Sequence, residues 1–144
     1  MRSTPALRFT VHAIFTSLWL LGAAVFVLKH FFPVAGEFGP APHPWQPSLL
    51  ALHGIIAVAA TFLFGWICGD HVALTWRMRA DRASGVWLLA LVGVLIVTGF
   101  AAFFLVDDSL RGMNGTLHEW LGLGLMLPWI MHLLFGRGSS RRKR

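Results

Sequence analysis

The sequence predicts an all-α integral membrane protein, a four-helix bundle with both termini in the cytoplasm. Three observations carry that prediction. Four long apolar segments divide the chain, at about 9–32, 48–69, 86–106 and 116–136, each long enough to cross a bilayer. Of 144 residues 56% are hydrophobic and 12% charged, against about 25% charged in soluble proteins. The positive charges gather in the segments that would share one side of the membrane. Residues 1–144 read as a single membrane domain with a basic cytoplasmic tail over 137–144.

Taken in order, the first apolar segment follows Arg2 and Arg8 and ends at Lys29-His30-Phe31-Phe32-Pro33. It is longer than a signal-peptide core and lacks a small-residue cleavage site, so it reads as a retained span. The linker 33–47 holds five prolines, at 33, 40, 42, 44 and 47, which rules out regular helix; it is expected over one mouth of the bundle. The second segment runs to an arginine loop with Arg77, Arg79 and Arg82. After the third, a short outer loop over 107–115 carries Asp107, Asp108 and Arg111. The fourth is expected to open at Thr116-Leu-His-Glu119, a capping-box pattern. Pro128 should interrupt it, because its missing N–H would have bonded the carbonyl of Gly124.

Orientation follows from the cations. Ten lie at the termini and in the arginine loop, while Lys29 and Arg111 stand on the other side with Glu37, Asp107, Asp108 and Glu119. Loops 33–47 and 107–115 should therefore face outward, toward the periplasm in a bacterial inner membrane. The net charge of +6 needs no nucleic acid to explain it. The tail Arg141-Arg142-Lys143-Arg144 suits anionic lipid headgroups of the bilayer.

Ionisable side chains within spans are rare and usually functional, and six of the seven histidines lie in or at the ends of the apolar segments. His118 and His132 are fourteen positions apart. In a continuous helix that is roughly 21 Å of rise and leaves the rings about 40° apart around the axis. One helix thus presents two imidazoles to one side, near the two edges of an apolar core about 30 Å thick. Two stacked haems, each taking one axial ligand from this helix, would fit. By depth, His53 matches His118 on the outer side and His12 matches His132 on the cytoplasmic side. His71, after Gly69-Asp70, competes with His12; it could instead bind a haem propionate or face the loop surface. His30 suits the headgroup region, a quinone pocket or a proton donor, and His43 lies in the outer loop. Arg8 and Arg111 are candidate partners for haem propionates.

The chemistry has limits. The single cysteine, Cys68, permits no internal disulfide, and the two-cysteine motif for covalent haem is absent, so any haem is held non-covalently. Tyrosine is absent, which removes phenolate ligands. Zinc would recruit three or four ligands at one level, including Cys, Asp or Glu, which are scarce in these segments. Gly22, Gly54, Gly65, Gly93, Gly99, Gly122 and Gly124 leave room for a flat ring, although glycine also serves ordinary helix packing.

With these residues in view, the chain resembles the bacterial four-helix di-haem cytochrome b561 family. The resemblance rests on Arg-Phe-Thr-Val-His12, on Leu-Ala-Leu-His53-Gly, and on the stretch from Leu117-His118-Glu119 to Pro128-Trp-Ile-Met-His132. It implies two haem b groups with His12, His53, His118 and His132 as axial ligands to the iron. It also implies electron transfer between a quinone (ubiquinone or menaquinone) and a redox partner protein, such as a periplasmic cytochrome or a dehydrogenase subunit. The chain is shorter than is usual in that family. Two other readings stand beside this one: a self-sufficient quinone reductase that oxidises a small molecule such as superoxide, and a non-redox membrane scaffold whose histidines only pack.

Overall fold

The computed structural model describes residues 5–37, 39–72 and 82–141. The chain is mostly helical, at 85%. Helix α1 spans Pro5–Phe31, and strands β1 (Val34–Gly36) and β2 (Gly39–Ala41) follow. Helix α2 spans Gln46–Ile67 and runs into a π-helical turn, Cys68–Val72. Helices α3 (Arg82–Phe104), α4 (Asp108–Gly124) and α5 (Met126–Arg141) complete the order. The backbone clusters into two compact units, Met1–Gly65 and Trp66–Arg144.

Among the described residues three helices are long and apolar enough to cross a membrane: Pro5–Phe31, Gln46–Ile67 and Gly85–Phe104. Only 11%, 6% and 11% of their most apolar windows is buried within the chain. Phe62, Trp87, Val97 and Phe103 stand exposed on their surfaces. A water-soluble protein hides such side chains; here they face outward, as suits a chain whose solvent is lipid. Among the described residues the buried set is small: Phe15, Val25, Ala60, Val92 and Thr98.

In the first unit the proline-rich linker is not helix, as its composition requires, but it is more ordered than the sequence indicates. It folds into an antiparallel ribbon that pairs Val34 with Ala41, Ala35 with Pro40 and Gly36 with Gly39. Gly39 takes φ +119°, a conformation open chiefly to glycine. A Cβ on Gly36 would meet the Gly39 carbonyl oxygen at 2.8 Å and the Ala41 methyl at 2.9 Å, so the turn needs glycine at both ends. Pro40 is tolerated because a two-stranded ribbon has open edges.

The second unit corrects two boundaries. Residues 108–115, expected as an outer loop, are helical, and only 105–107 separate α3 from α4. The cap is Asp107 rather than Thr116: its carboxylate accepts the Leu110 N–H at 2.8 Å. An aspartate there satisfies an orphan donor of the first turn and suits the positive end of the helix. Thr116 lies within α4 and turns its hydroxyl back to the Gly112 carbonyl at 3.0 Å. His118 is therefore ten positions past Asp108, well inside the helix and not in its first turn.

The expected interruption near Pro128 is present. Helices α4 and α5 are divided by the single residue Leu125, one turn ahead of the proline. Leu125 keeps right-handed helical angles (φ −56°, ψ −30°). Bonds from Leu125 N–H to Leu121 (3.0 Å) and from Trp129 N–H to Leu125 (3.1 Å) span the division. The ladder breaks while the helical path continues.

Helix α3 packs against both α4 and α5. Three contacts define a single antiparallel register: a Cβ on Gly99 would meet His118, one on Gly122 would meet Leu95, and one on Gly85 would meet His132. Each step back along α3 corresponds to one step forward along α4 and α5.

Candidate functional site

Three of the four candidate ligands, His53, His118 and His132, sit against glycines. In the second unit, the ideal Cβ position of Gly99 is 3.3 Å from His118 Cε1 and 3.8 Å from Nδ1. That of Gly85 is 4.0 Å from His132 Cε1. The two glycines are fourteen positions apart, as the two histidines are. Both imidazoles therefore face α3, and the same-side arrangement expected from the spacing holds despite the break at Leu125. In the first unit, the Cβ position of Gly22 is 3.2 Å from His53 Cε1 and 3.5 Å from Nδ1. A helix without side chains at these points lets an imidazole edge rest on its backbone.

The ring nitrogens are specified as well. His53 Nδ1 is 3.1 Å from the Leu18 carbonyl oxygen, one turn before Gly22. A carbonyl only accepts, so Nδ1 carries the proton and donates it. His118 Nδ1 is 2.9 Å from Thr98 Oγ1. The same hydroxyl reaches the Val94 carbonyl at 2.8 Å and the Leu95 carbonyl at 3.2 Å; with its one proton given to Val94, it accepts from the imidazole. His53 thus carries a proton on Nδ1, and the geometry at Thr98 favours the same for His118. Metal-ligating histidines show this pattern: one nitrogen donates to an oxygen of the protein and the other binds the metal. Asn114 adds a further tie, donating Nδ2–H to the Thr98 carbonyl at 2.9 Å.

Taken within each unit, an imidazole with Nδ1 against a protein oxygen is the donor chemistry that a haem iron would ask of a histidine ligand. No group of three or more His, Cys, Asp or Glu that could hold a metal ion occurs among the described residues.

The remaining candidates are placed as follows. His12 lies in α1 on an exposed stretch, one turn after exposed Arg8. Arg111 is in the first turn of α4, not in a loop; its guanidinium pairs with Asp108 at 2.8 Å and donates to the Val106 carbonyl at 3.0 Å. His30, next to last in α1, stacks on Phe26 with ring centroids 4.3 Å apart, as suits a helix end. His43 accepts the Trp45 N–H on Nδ1 at 3.2 Å, and its carbonyl accepts the Gln46 N–H at 2.8 Å, so it shapes the start of α2. His71 lies in the π-helical turn, and its side chain is outside the described residues. Arg77, Arg79 and the last three residues of the tail are outside them too.

Sequence reasoning missed Thr98, Asn114 and Gly85. A usable signal existed for Gly85: together with Gly99 it repeats the fourteen-residue spacing of the histidines one helix earlier. Nothing in the sequence marks Thr98. Against protein-family models, curated proteins and solved structures, the chain matches none.

Proposed function

We propose that this protein is a di-haem b-type membrane cytochrome, a four-helix bundle of the bacterial inner membrane with both termini cytoplasmic. Its role would be to carry electrons across the bilayer between the quinone pool and a redox partner protein. The observation that supports this most is the paired spacing of His118 and His132 on α4 and α5 with Gly99 and Gly85 on α3. It gives two imidazoles on one face, roughly a leaflet apart. The protein oxygens against Nδ1 of His53 and His118 add to it, since such a partner orients a ligand histidine and directs Nε2 to the metal. The resemblance to the cytochrome b561 family points the same way.

In this reading His12, His53, His118 and His132 would hold the haem irons. When bound, haem b would supply a one-electron carrier. The chain's own part is to fix the imidazoles, to exclude water with its apolar spans, and to set the basicity of each ligand. Arg8, one turn before His12 in α1, would offer its guanidinium to a propionate. Arg111 would do so on the outer side by exchanging its exposed partner Asp108.

The test is a reduced-minus-oxidised spectrum and a haem assay on purified protein, with about two haems b expected per chain. His118→Ala and His132→Ala should each remove a different one. Well-folded, colourless protein would refute the reading, and retention of both haems in either variant would refute the ligand assignment.

A further inference from the structure

We infer that Thr98 is a positioning residue for His118, its hydroxyl fixing the imidazole and strengthening the ligand it presents at Nε2. The inference rests on the haem reading above.

Thr98 is 7% exposed, the one polar residue among the described buried set. A buried hydroxyl without partners would be costly, and this one is fully used. Its oxygen lies 2.8 Å from the Val94 carbonyl and 2.9 Å from His118 Nδ1; with the proton given to the carbonyl, the oxygen accepts from Nδ1. The carbonyl of the same residue takes the Asn114 amide at 2.9 Å. Helix α4 therefore grips Thr98 at two points, through Asn114 and through His118 one turn later. With Gly99 closing on the ring edge at 3.3 Å, the imidazole is held on one side by a hydrogen bond and on another by backbone.

The chemical consequence concerns the far nitrogen. An oxygen accepting Nδ1–H leaves more electron density on the ring and makes Nε2 the better donor to iron. A stronger donor favours the ferric state and lowers the reduction potential. His53 makes the equivalent bond to a backbone carbonyl, Leu18, which no side-chain substitution there would remove. His118 depends on a hydroxyl, so Thr98 is the position where sequence can adjust ligand strength.

Thr98→Val keeps the shape and removes the acceptor, while Thr98→Ser keeps the acceptor and loses the methyl. In haem-loaded protein, Thr98→Val should raise the potential of the haem held by His118 and shift its low-spin EPR signal, leaving the other haem unchanged. Thr98→Ser should restore both. Loss of that haem in the valine variant with retention in the serine variant would also support the role. Unchanged potential and EPR signal in Thr98→Val, or equal effects of the two substitutions, would overturn it. Nitrogen-15 shifts of His118 in haem-free protein give a separate measure. The Nδ1–H tautomer should dominate in the wild type and Thr98→Ser and decline in Thr98→Val; a wild-type ring protonated at Nε2 would overturn the inference. If the wild type binds no haem, the function fails, and this tautomer measurement still decides the bond to Thr98.

Discussion

A glycine-to-alanine series tests whether the imidazoles rest on helix backbone. At Gly99 the new methyl would sit 3.3 Å from His118 Cε1, and at Gly22 it would sit 3.2 Å from His53 Cε1. Carbon atoms prefer about 3.5–4.0 Å, so each ring must retreat by a few tenths of an ångström. The retreat is opposed by Nδ1 bonds of 2.9 Å and 3.1 Å, which point the ring at the same helix. At Gly85 the methyl would be 4.0 Å from His132 Cε1, ordinary contact, and at Gly93 nothing lies within 4 Å. Alanine in a helix interior gains about 1 kcal/mol over glycine, and overpacking costs about 1–3 kcal/mol. Gly93→Ala should thus stabilise by up to about 1 kcal/mol and Gly85→Ala by slightly less. Gly99→Ala and Gly22→Ala should range from neutral to about 2 kcal/mol destabilising. Thermal unfolding of the detergent-solubilised protein, followed by circular dichroism, gives the order. Haem content measured in parallel should fall only in Gly22→Ala and Gly99→Ala. If Gly99→Ala behaves like Gly93→Ala, or if Gly85→Ala is the most damaging of the four, the ring-on-backbone contact is not what the distances imply.

Asp107→Ala removes the cap that holds the Leu110 N–H and should destabilise by about 1 kcal/mol; faster hydrogen exchange confined to the first turn of α4 would report it. Pro128→Ala restores a donor for the Gly124 carbonyl and should join α4 and α5; protection of the new amide at 128 checks this, and rapid exchange there would show that the break has another cause. Arg111→Met breaks an ion pair whose side chains are 50% and 96% exposed, so the stability change should stay within about 0.5 kcal/mol. A reporter fused after residue 144 should remain cytoplasmic in a bacterial host; an external reporter would reverse the orientation drawn from the arginines.

The helices were legible because lipid leaves a strong trace in sequence. A long apolar run without charge has few alternatives to helix, and α1, α2 and α3 start and end within a few residues of the apolar segments. The start of α4 lies earlier than the sequence indicates, for a definite reason. Its first turns are polar, so hydropathy gave no sign of helix, and the Thr116–Glu119 pattern offered a plausible but later cap. Asp107 was available as a cap in the sequence, but choosing between them needed the backbone. The ribbon over 34–41 was hidden by prolines that argue against a strand and are tolerated only because both edges are open.

Within the candidate site, His118 and His132 were legible from spacing alone, because a helix converts a count of fourteen into a shared face. That determination survived a broken hydrogen bond at Gly124, since Leu125 kept helical angles. What touches those rings was not legible. Gly99, Gly85 and Thr98 meet them through the antiparallel register of α3 with α4 and α5, and register is a property of two segments packed together, not of either one. The sequence therefore determined which apolar segments are helical and which two histidines share a side. Tertiary structure alone decided which oxygen lies against Nδ1 of His53 and of His118, because a hydrogen-bond partner is whichever atom the packing brings within reach.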